Sequence, residues 1–297
     1  MANMESVGDF KLLEAKIIAS SGLEVDISSS IVNIVIYEDT GTTSITGEIM
    51  LQDAFALTNI GPLIGQEYLK LKIITPSLTE KENTIDYTEN VLIINSLSNR
   101  SSAGNNVQVY ILTFTTSELV KNQRTRVRRS IEGTYSDIVK IMLQKELNCK
   151  KDIYIEPTSG IKRFVSPNMH PFDVIKIAAS QSISKLVSAP MVTNYIFYET
   201  IKGYHFRSLA SLYAQGSVQD YTTFVPGGSI DYGGIINIER ELGNILDYEV
   251  LSGSNSLLNH TTGVYSSDLI VHNIFNKSIQ KHSYGIFENF KKESHIN

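Results

Sequence analysis

The hydrophobic period of this chain changes twice, and that double change limits what it can fold into. From Lys11 to Thr116 the apolar residues alternate or run together as strands do. Leu69, Leu71 and Ile73 are separated by Lys70 and Lys72, so one face is set for burial and the other for water. Between Arg124 and Leu209 the spacing lengthens to that of helices in YSDIVKIMLQKEL and DVIKIAASQSIS. It then returns to alternation in IFYETIKGYHFRSL. From Ser229 strand-like runs resume. Strands, then helices with strands, then strands again predict a β-rich α+β chain.

The first region reads as several strands with polar turns, as in a small barrel or sandwich. LEVDISSSIVNIVIYED and SITGEIMLQD flank the turn TGTT. VLIINSLS and NVQVYILTFTTS flank the turn NRSSAGNN, and TPSLTEKENTIDYTEN reads as a polar insertion. DAFALTNIGPLIG breaks the pattern, and its Gly61-Pro62 suits a loop covering one end of the sheet.

In the middle, Ile138, Ile141, Met142 and Lys145 share a helical face, with Val139 and Leu143 beside it. Thr134 or Ser136 can cap that helix, and Asp137 places negative charge near its positive end. A second helix is predicted to open at Pro171, with Asp173 in its first turn and Phe172, Ile175, Ala179 and Ile183 on one face. Two aromatic strands follow, joined at Lys202-Gly203; Tyr195, Phe197, Tyr198, Tyr204 and Phe206 read as packing across that hairpin. In the last region GGIINIERELGNILDYEVLSGSN reads as strand, turn, strand, and GVYSSDLIVHNIF as another strand. HSYGIFENFKKESHIN has little pattern.

Composition narrows the functional classes. The 297 residues suffice for two or three cores, and 42% hydrophobic with 19% charged residues is a globular balance. A net charge of −5 opposes broad, phosphate-driven binding of nucleic acid. A single cysteine, Cys149, excludes an internal disulfide and a zinc site built from several cysteines. MANMESVGDFKLLEAK lacks the basic start and long apolar stretch of a secretory signal, and no run approaches the length needed to span a bilayer. Folding in a cytoplasm is therefore expected.

Catalytic signatures are scarce. His170, His205, His260, His272, His282 and His295 form neither HExxH nor HxH spacing. No GxSxG elbow occurs, and Cys149 sits at the polar end of a helix without an evident partner. Glu239 and Glu241 would share a strand face around Arg240, which reads as a solvated strand end. Gly227-Gly228 and Gly233-Gly234 read as turns rather than a phosphate loop. No catalytic residue, metal ligand or cofactor is expected. The best-defined polar feature is the basic run Lys121, Arg124, Arg126, Arg128 and Arg129. If its backbone is extended, Arg124, Arg126 and Arg128 project together, and arginine forks suit paired recognition of carboxylates or phosphate. Between Lys121 and Ser130 it lacks the interleaved aromatics that base stacking needs, so it is read first as a subunit or partner interface or an intramolecular salt-bridge face, and after that as solvated surface or an anion contact.

Four stretches carry a resemblance: VRRSIEGTYSDIVKIML, RFVSPNMHPFDVIKIAA, IFYETIKGYHFRSLASL and SITGEIMLQDAFALTNIGPLIGQEYLKLKI. In order and combination they are similar to the baseplate hub proteins of contractile-tailed bacteriophages, the T-even type, which are fold relatives of the hub part of type VI secretion spikes. The resemblance implies a first tube-type β-barrel over residues 1–119, a middle α+β unit over 120–228 and a second tube-type barrel over 229–297. With the sequence ending at Asn297, that second barrel would be short, incomplete or completed by a partner. It further implies a non-enzymatic virion protein, assembled in the host cytoplasm as a homotrimer that adapts the sixfold tail tube to the threefold spike. Its partners would be the tail tube or a tube adaptor above, the spike below and the baseplate wedges. DNA would pass through the lumen without specific binding, and no membrane would be entered. Two other roles fit the same residues: a different tail structural protein, such as a tube-terminating adaptor or wedge component, and a tail-associated cell-wall or polysaccharide hydrolase.

Overall fold

In the computed structural model the described residues are 10–55, 57, 63, 65–75, 83–104, 107–185, 193–217, 220–223, 241, 243–245, 247–249 and 255–290. The first region forms one eight-stranded antiparallel sheet. Its strands are β1 (Lys11–Ile18), β2 (Glu24–Asp26), β3 (Ile31–Tyr37), β4 (Thr46–Asp53), β5 (Tyr68–Thr75), β6 (Asn83–Asp86), β7 (Leu92–Ser102) and β8 (Gln108–Thr116). The order is β2-β1-β5-β7-β8-β4-β3, with β6 added to β5. Among the described residues this path is open, since β2 and β3 lie at its two ends.

Alternation dictates the inner face. Leu69 and Leu71 stand opposite Ile17 and Ala15, while Ile49 and Leu51 stand opposite Leu112 and Tyr110. All are buried in one core drawn from these strands and their connections, so the sheet curls around its own interior. Burying each large side chain contributes about 1.5–3 kcal/mol. Gly47 is required where β4 meets β8: a Cβ there would lie 2.3 Å from the Phe114 ring and 2.5 Å from the Val35 carbonyl.

Two expected loops are strands. The insertion TPSLTEKENTIDYTEN contains β6, held by Tyr87, which is buried, and by an ion pair of 2.6 Å between Lys72 and the directly opposite Asp86. Strand β7 continues through Ser102 into the expected turn NRSSAGNN because bulges, with Asn99 at φ 53°, absorb the irregular register. Gly61-Pro62 lies outside the described residues; Leu57 beside it is buried in the core.

The middle unit begins with a helix, α1 (Ser117–Arg124), that follows β8 without a break. Next come β9 (Ser130–Gly133) and α2 (Tyr135–Ile141), the latter extended by a π turn over Met142–Glu146. Thr134, not Ser136, is its cap: Thr134 Oγ1 accepts from Asp137 N while the Asp137 carboxylate accepts from Thr134 N. Strands β10 (Ile153–Ile155) and β11 (Lys162–Val165) lead to α3 (Pro171–Gln181), which does start with proline in its first turn. Phe172, Ile175 and Ala179 are buried as expected. Ile183 is not, because the helix has ended at Gln181 and Ser182 has turned the chain outward.

The aromatic hairpin is β12 (Tyr195–Thr200) and β13 (Gly203–Ser208), with β10 parallel to β13. Phe197 stacks on Tyr204 at 5.4 Å and touches Phe172 at 5.6 Å, which joins the hairpin to α3. Gly203 has φ +136°, and a Cβ there would lie 2.2 Å from the Asp152 carbonyl. Only glycine lets β10 approach closely enough for Tyr204 N to donate to that carbonyl at 2.9 Å.

Beyond α4 (Leu209–Tyr213) the paired segments are β14 (Thr222–Thr223) with β15 (Asn244–Ile245), and β16 (Ser266–Asn273) with β17 (Ser278–Gly285). Helices α5 (Ser256–Thr261) and α6 (Ile286–Asn289) flank the second pair. The stretch HSYGIFENF, which has little pattern in sequence, supplies the end of β17 and α6. None of the described residues from 255 to 290 is buried, so this part is an uncovered hairpin and not a closed barrel.

Candidate assembly interface

The basic run does not lie on one extended strand. Lys121 and Arg124 are three residues apart on α1, and helical spacing places them on one side. Arg126 and Arg128 flank Val127, which is buried and bridged to Met169, so alternation turns both guanidinium groups outward. Arg126 donates to the Asn168 carbonyl at 3.3 Å, and Arg128 donates to Asn168 Oδ1 at 2.6 Å. Arg129 is paired with Glu146 at the end of the π turn, and Lys121 lies 3.9 Å from Glu118. The fold therefore gathers the five residues at the junction of α1 and the α2–α3 unit, with local partners for all but Arg124 among the described contacts.

Sequence reasoning missed what ties the first sheet to the middle unit. Glu199, on β12, is wholly buried. Its Oε2 accepts from Ile45 N at 3.1 Å and from Thr116 Oγ1 at 2.8 Å, both in the first sheet. Its Oε1 is 2.5 Å from Lys151 Nζ, and Lys151 Nζ is also 2.8 Å from Glu118 Oε2 on α1. One ammonium thus serves two buried carboxylates. Burial is the main influence on Glu199 and keeps its carboxyl above the ordinary range despite Lys151. Burial would depress the Lys151 pKa, but Glu199 and Glu118 outweigh it and hold the ammonium above its usual value. No spacing rule could have found this trio, because its members lie far apart in sequence and only the fold brings them together.

The uncovered hairpin exposes several large apolar side chains. Leu269 and Ile270 are 63% and 64% exposed on opposite faces of β16, Ile279 is 70% exposed on β17, and Phe275 at the tip is fully exposed. Among the described residues this sheet has two strands, so within them each outer edge has no strand beside it. An isolated two-stranded hairpin is at best marginally stable in water.

No family profile matches the chain, and no curated protein matches it. Among the solved structures it resembles are phage tail proteins and a component of the type VI secretion system. A 43 kDa tail protein of prophage MuSo2 from Shewanella oneidensis aligns with 74% of this chain and 58% of its own length, at 10% identity and a TM-score of 0.46. A tail protein from Neisseria meningitidis aligns with 73% and 56%, at 9% identity and a TM-score of 0.45. An Escherichia coli type VI secretion component, described as structurally similar to T4 bacteriophage tail proteins, aligns with 73% and 52%, at 11% identity and a TM-score of 0.41. The chain spans between half and three fifths of the length of these structures.

The remaining sequence candidates do not converge. Among the described residues no group of three or more His, Cys, Asp or Glu side chains is placed to hold a metal ion. No described helix is long and apolar enough to cross a membrane. Burial and the nearby Glu118 push the Cys149 thiol up to about 11, the opposite of what a nucleophile needs. Glu239, Arg240, His295 and the glycine pairs 227–228 and 233–234 lie outside the described residues.

Proposed function

We propose that this chain is a structural part of a phage tail, and within it the central baseplate hub. In that role three copies form a ring that adapts a sixfold tail tube to a threefold spike and leaves a channel for DNA. The observation that carries the reading is the β16–β17 hairpin, whose two apolar faces and two open edges need to be covered by another chain. Pairing of such edges between subunits in a closed ring would satisfy both. The resemblance of the stretches between Val127 and Leu212 to hub proteins agrees with this reading.

On this proposal residues 1–119 supply one tube-type barrel and 120–228 the outer unit. Residues 229–297 contribute to a second tube-type barrel, in which neighbouring chains pair with the β16–β17 hairpin. The exposed arginines Arg124, Arg126 and Arg128, with Lys121 and Arg129 beside them, face an acidic surface of a neighbouring subunit or wedge protein. The channel carries DNA without sequence-specific contacts, as the net charge of −5 favours. Electron microscopy of the purified protein tests the reading. Class averages should show threefold rings with a central opening; compact particles without a lumen would overturn it.

A further inference from the structure

On the outer face of the aromatic hairpin lies a cleft of about 610 Å³, lined by Tyr154, Glu156, Lys202, His205, Arg207 and Ser211 among others. Register explains its composition. Tyr204 and Phe206 of β13 face the core, so His205 and Arg207 face out, opposite Tyr198 and Ile196 of β12. Tyr154 of β10 is paired with His205 from the other side. The His205 ring is stacked between Tyr154 at 4.8 Å and Tyr198 at 4.9 Å, and its Nε2 lies 3.0 Å from Thr200 Oγ1. The cleft floor is therefore a fixed three-ring stack.

Its charges are unbalanced. Among the described residues neither Lys202 nor Arg207 forms an ion pair. Arg207 is half-buried. The Gln215 amide oxygen, in the orientation that satisfies both groups, lies 2.6 Å from both terminal nitrogens, which orients the guanidinium without neutralising it. The one carboxylate among the described lining residues, Glu156, is already engaged. Its two oxygens accept from Ser184 Oγ, Tyr195 OH, Ser208 Oγ and Ser208 N at 2.7–3.0 Å. Burial would raise the Glu156 pKa, but these donors, led by the Ser208 N–H, outweigh it and keep the group ionised. Burial, with Arg207 and Lys202 beside it, depresses the His205 pKa, so at neutral pH the imidazole adds no charge.

We propose that this cleft docks a carboxylate-bearing segment of another protein, the acidic side chain lying between Lys202 and Arg207. Two free cations against one ionised wall carboxylate match a single anion. A polyphosphate backbone would need a longer run of cations and would meet the chain's net charge of −5. Tyr154, exposed on its outer side, and Pro157 offer apolar contact to residues flanking the carboxylate.

Fluorescence anisotropy of a labelled, blocked glutamate-rich peptide with the full chain tests this. The peptide should bind, its glutamine counterpart should bind about tenfold more weakly, and Arg207→Gln should weaken binding about tenfold. Lys202→Gln, at an exposed turn where folding is not at stake, should weaken it similarly, while Lys281→Gln on the distant hairpin should not. The proposal is overturned by any of four results: no peptide binding, affinities within about twofold in both cleft variants, tighter Arg207-dependent binding of oligothymidylate, or displacement by free glutarate at equal concentration. The cleft does not depend on the tail reading, and peptide affinity can fail without ring formation failing.

Discussion

Replacing Lys151 by methionine removes the one described cation that contacts both Glu118 and Glu199, and the only described ion-pair partner of Glu199, while keeping much of the side chain's volume. Both carboxylates are nearly inaccessible, with side-chain exposures of 4% and 0%, and Lys151 itself is 9% exposed, so solvent screening offers little relief. Leaving a buried charge unpaired in this way costs about 3–5 kcal/mol. The site has one escape, which is to protonate Glu199. Each pH unit above the ordinary pKa of 4.5 costs about 1.4 kcal/mol, so holding a proton at pH 7 costs about 3.4 kcal/mol. The two routes agree on a loss of roughly 3–4 kcal/mol at neutral pH.

The sign of the pH dependence follows. A carboxyl whose folded pKa is raised contributes stability below its unfolded value and loses it as pH rises through the folded value. The deficit of Lys151→Met should therefore shrink as pH falls from 7 towards 5. Adding Glu199→Gln should recover part of it, because the amide removes the charge and its oxygen can still accept from Ile45 N and Thr116 Oγ1. Urea unfolding followed by circular dichroism at several pH values measures all three. A loss below about 1 kcal/mol at pH 7, or one unchanged by acidification, would refute the reasoning.

Other substitutions test separate parts of the fold. Gly203→Ala should cost about 2–3 kcal/mol in the same unfolding assay, from the left-handed φ and the collision with the Asp152 carbonyl. With its pKa near 11, Cys149 should react with a disulfide reagent at pH 8 about a hundredfold more slowly than free cysteine; equal rates would contradict its burial. Ile270→Lys should leave chain stability within about 0.5 kcal/mol, because the residue touches no core, yet reduce the assembled fraction in sedimentation velocity.

Where one periodicity ruled a segment, the sequence was enough. The Leu69–Ile73 alternation, the Pro171 helix start and the aromatic hairpin at Lys202-Gly203 all follow from local pattern, and the structure has them. Strand β6 and the end of β7 were hidden because polar residues on solvent-facing positions and at bulges carry no hydrophobic signal. Helix α1 was hidden for a related reason: its inward positions include Glu118 and Asn122, buried polar groups that read as surface. The same blindness concealed the Glu118–Lys151–Glu199 trio and the cleft around Arg207. Both depend on contacts between segments distant in the chain. The arginine run was legible as a cluster but not in geometry, since α1 ends at Arg124 and only Arg126 and Arg128 flank the Val127 bridge.

In the proposed hub role, copies of this chain cover one another's open hairpin edges. Light scattering coupled to size exclusion, on the full chain at micromolar concentration, measures this most directly. The expected mass is three times the 33.1 kDa of one chain, falling towards one chain in Ile270→Lys. A single-chain mass for the unaltered protein, unchanged on concentration, would contradict the claim.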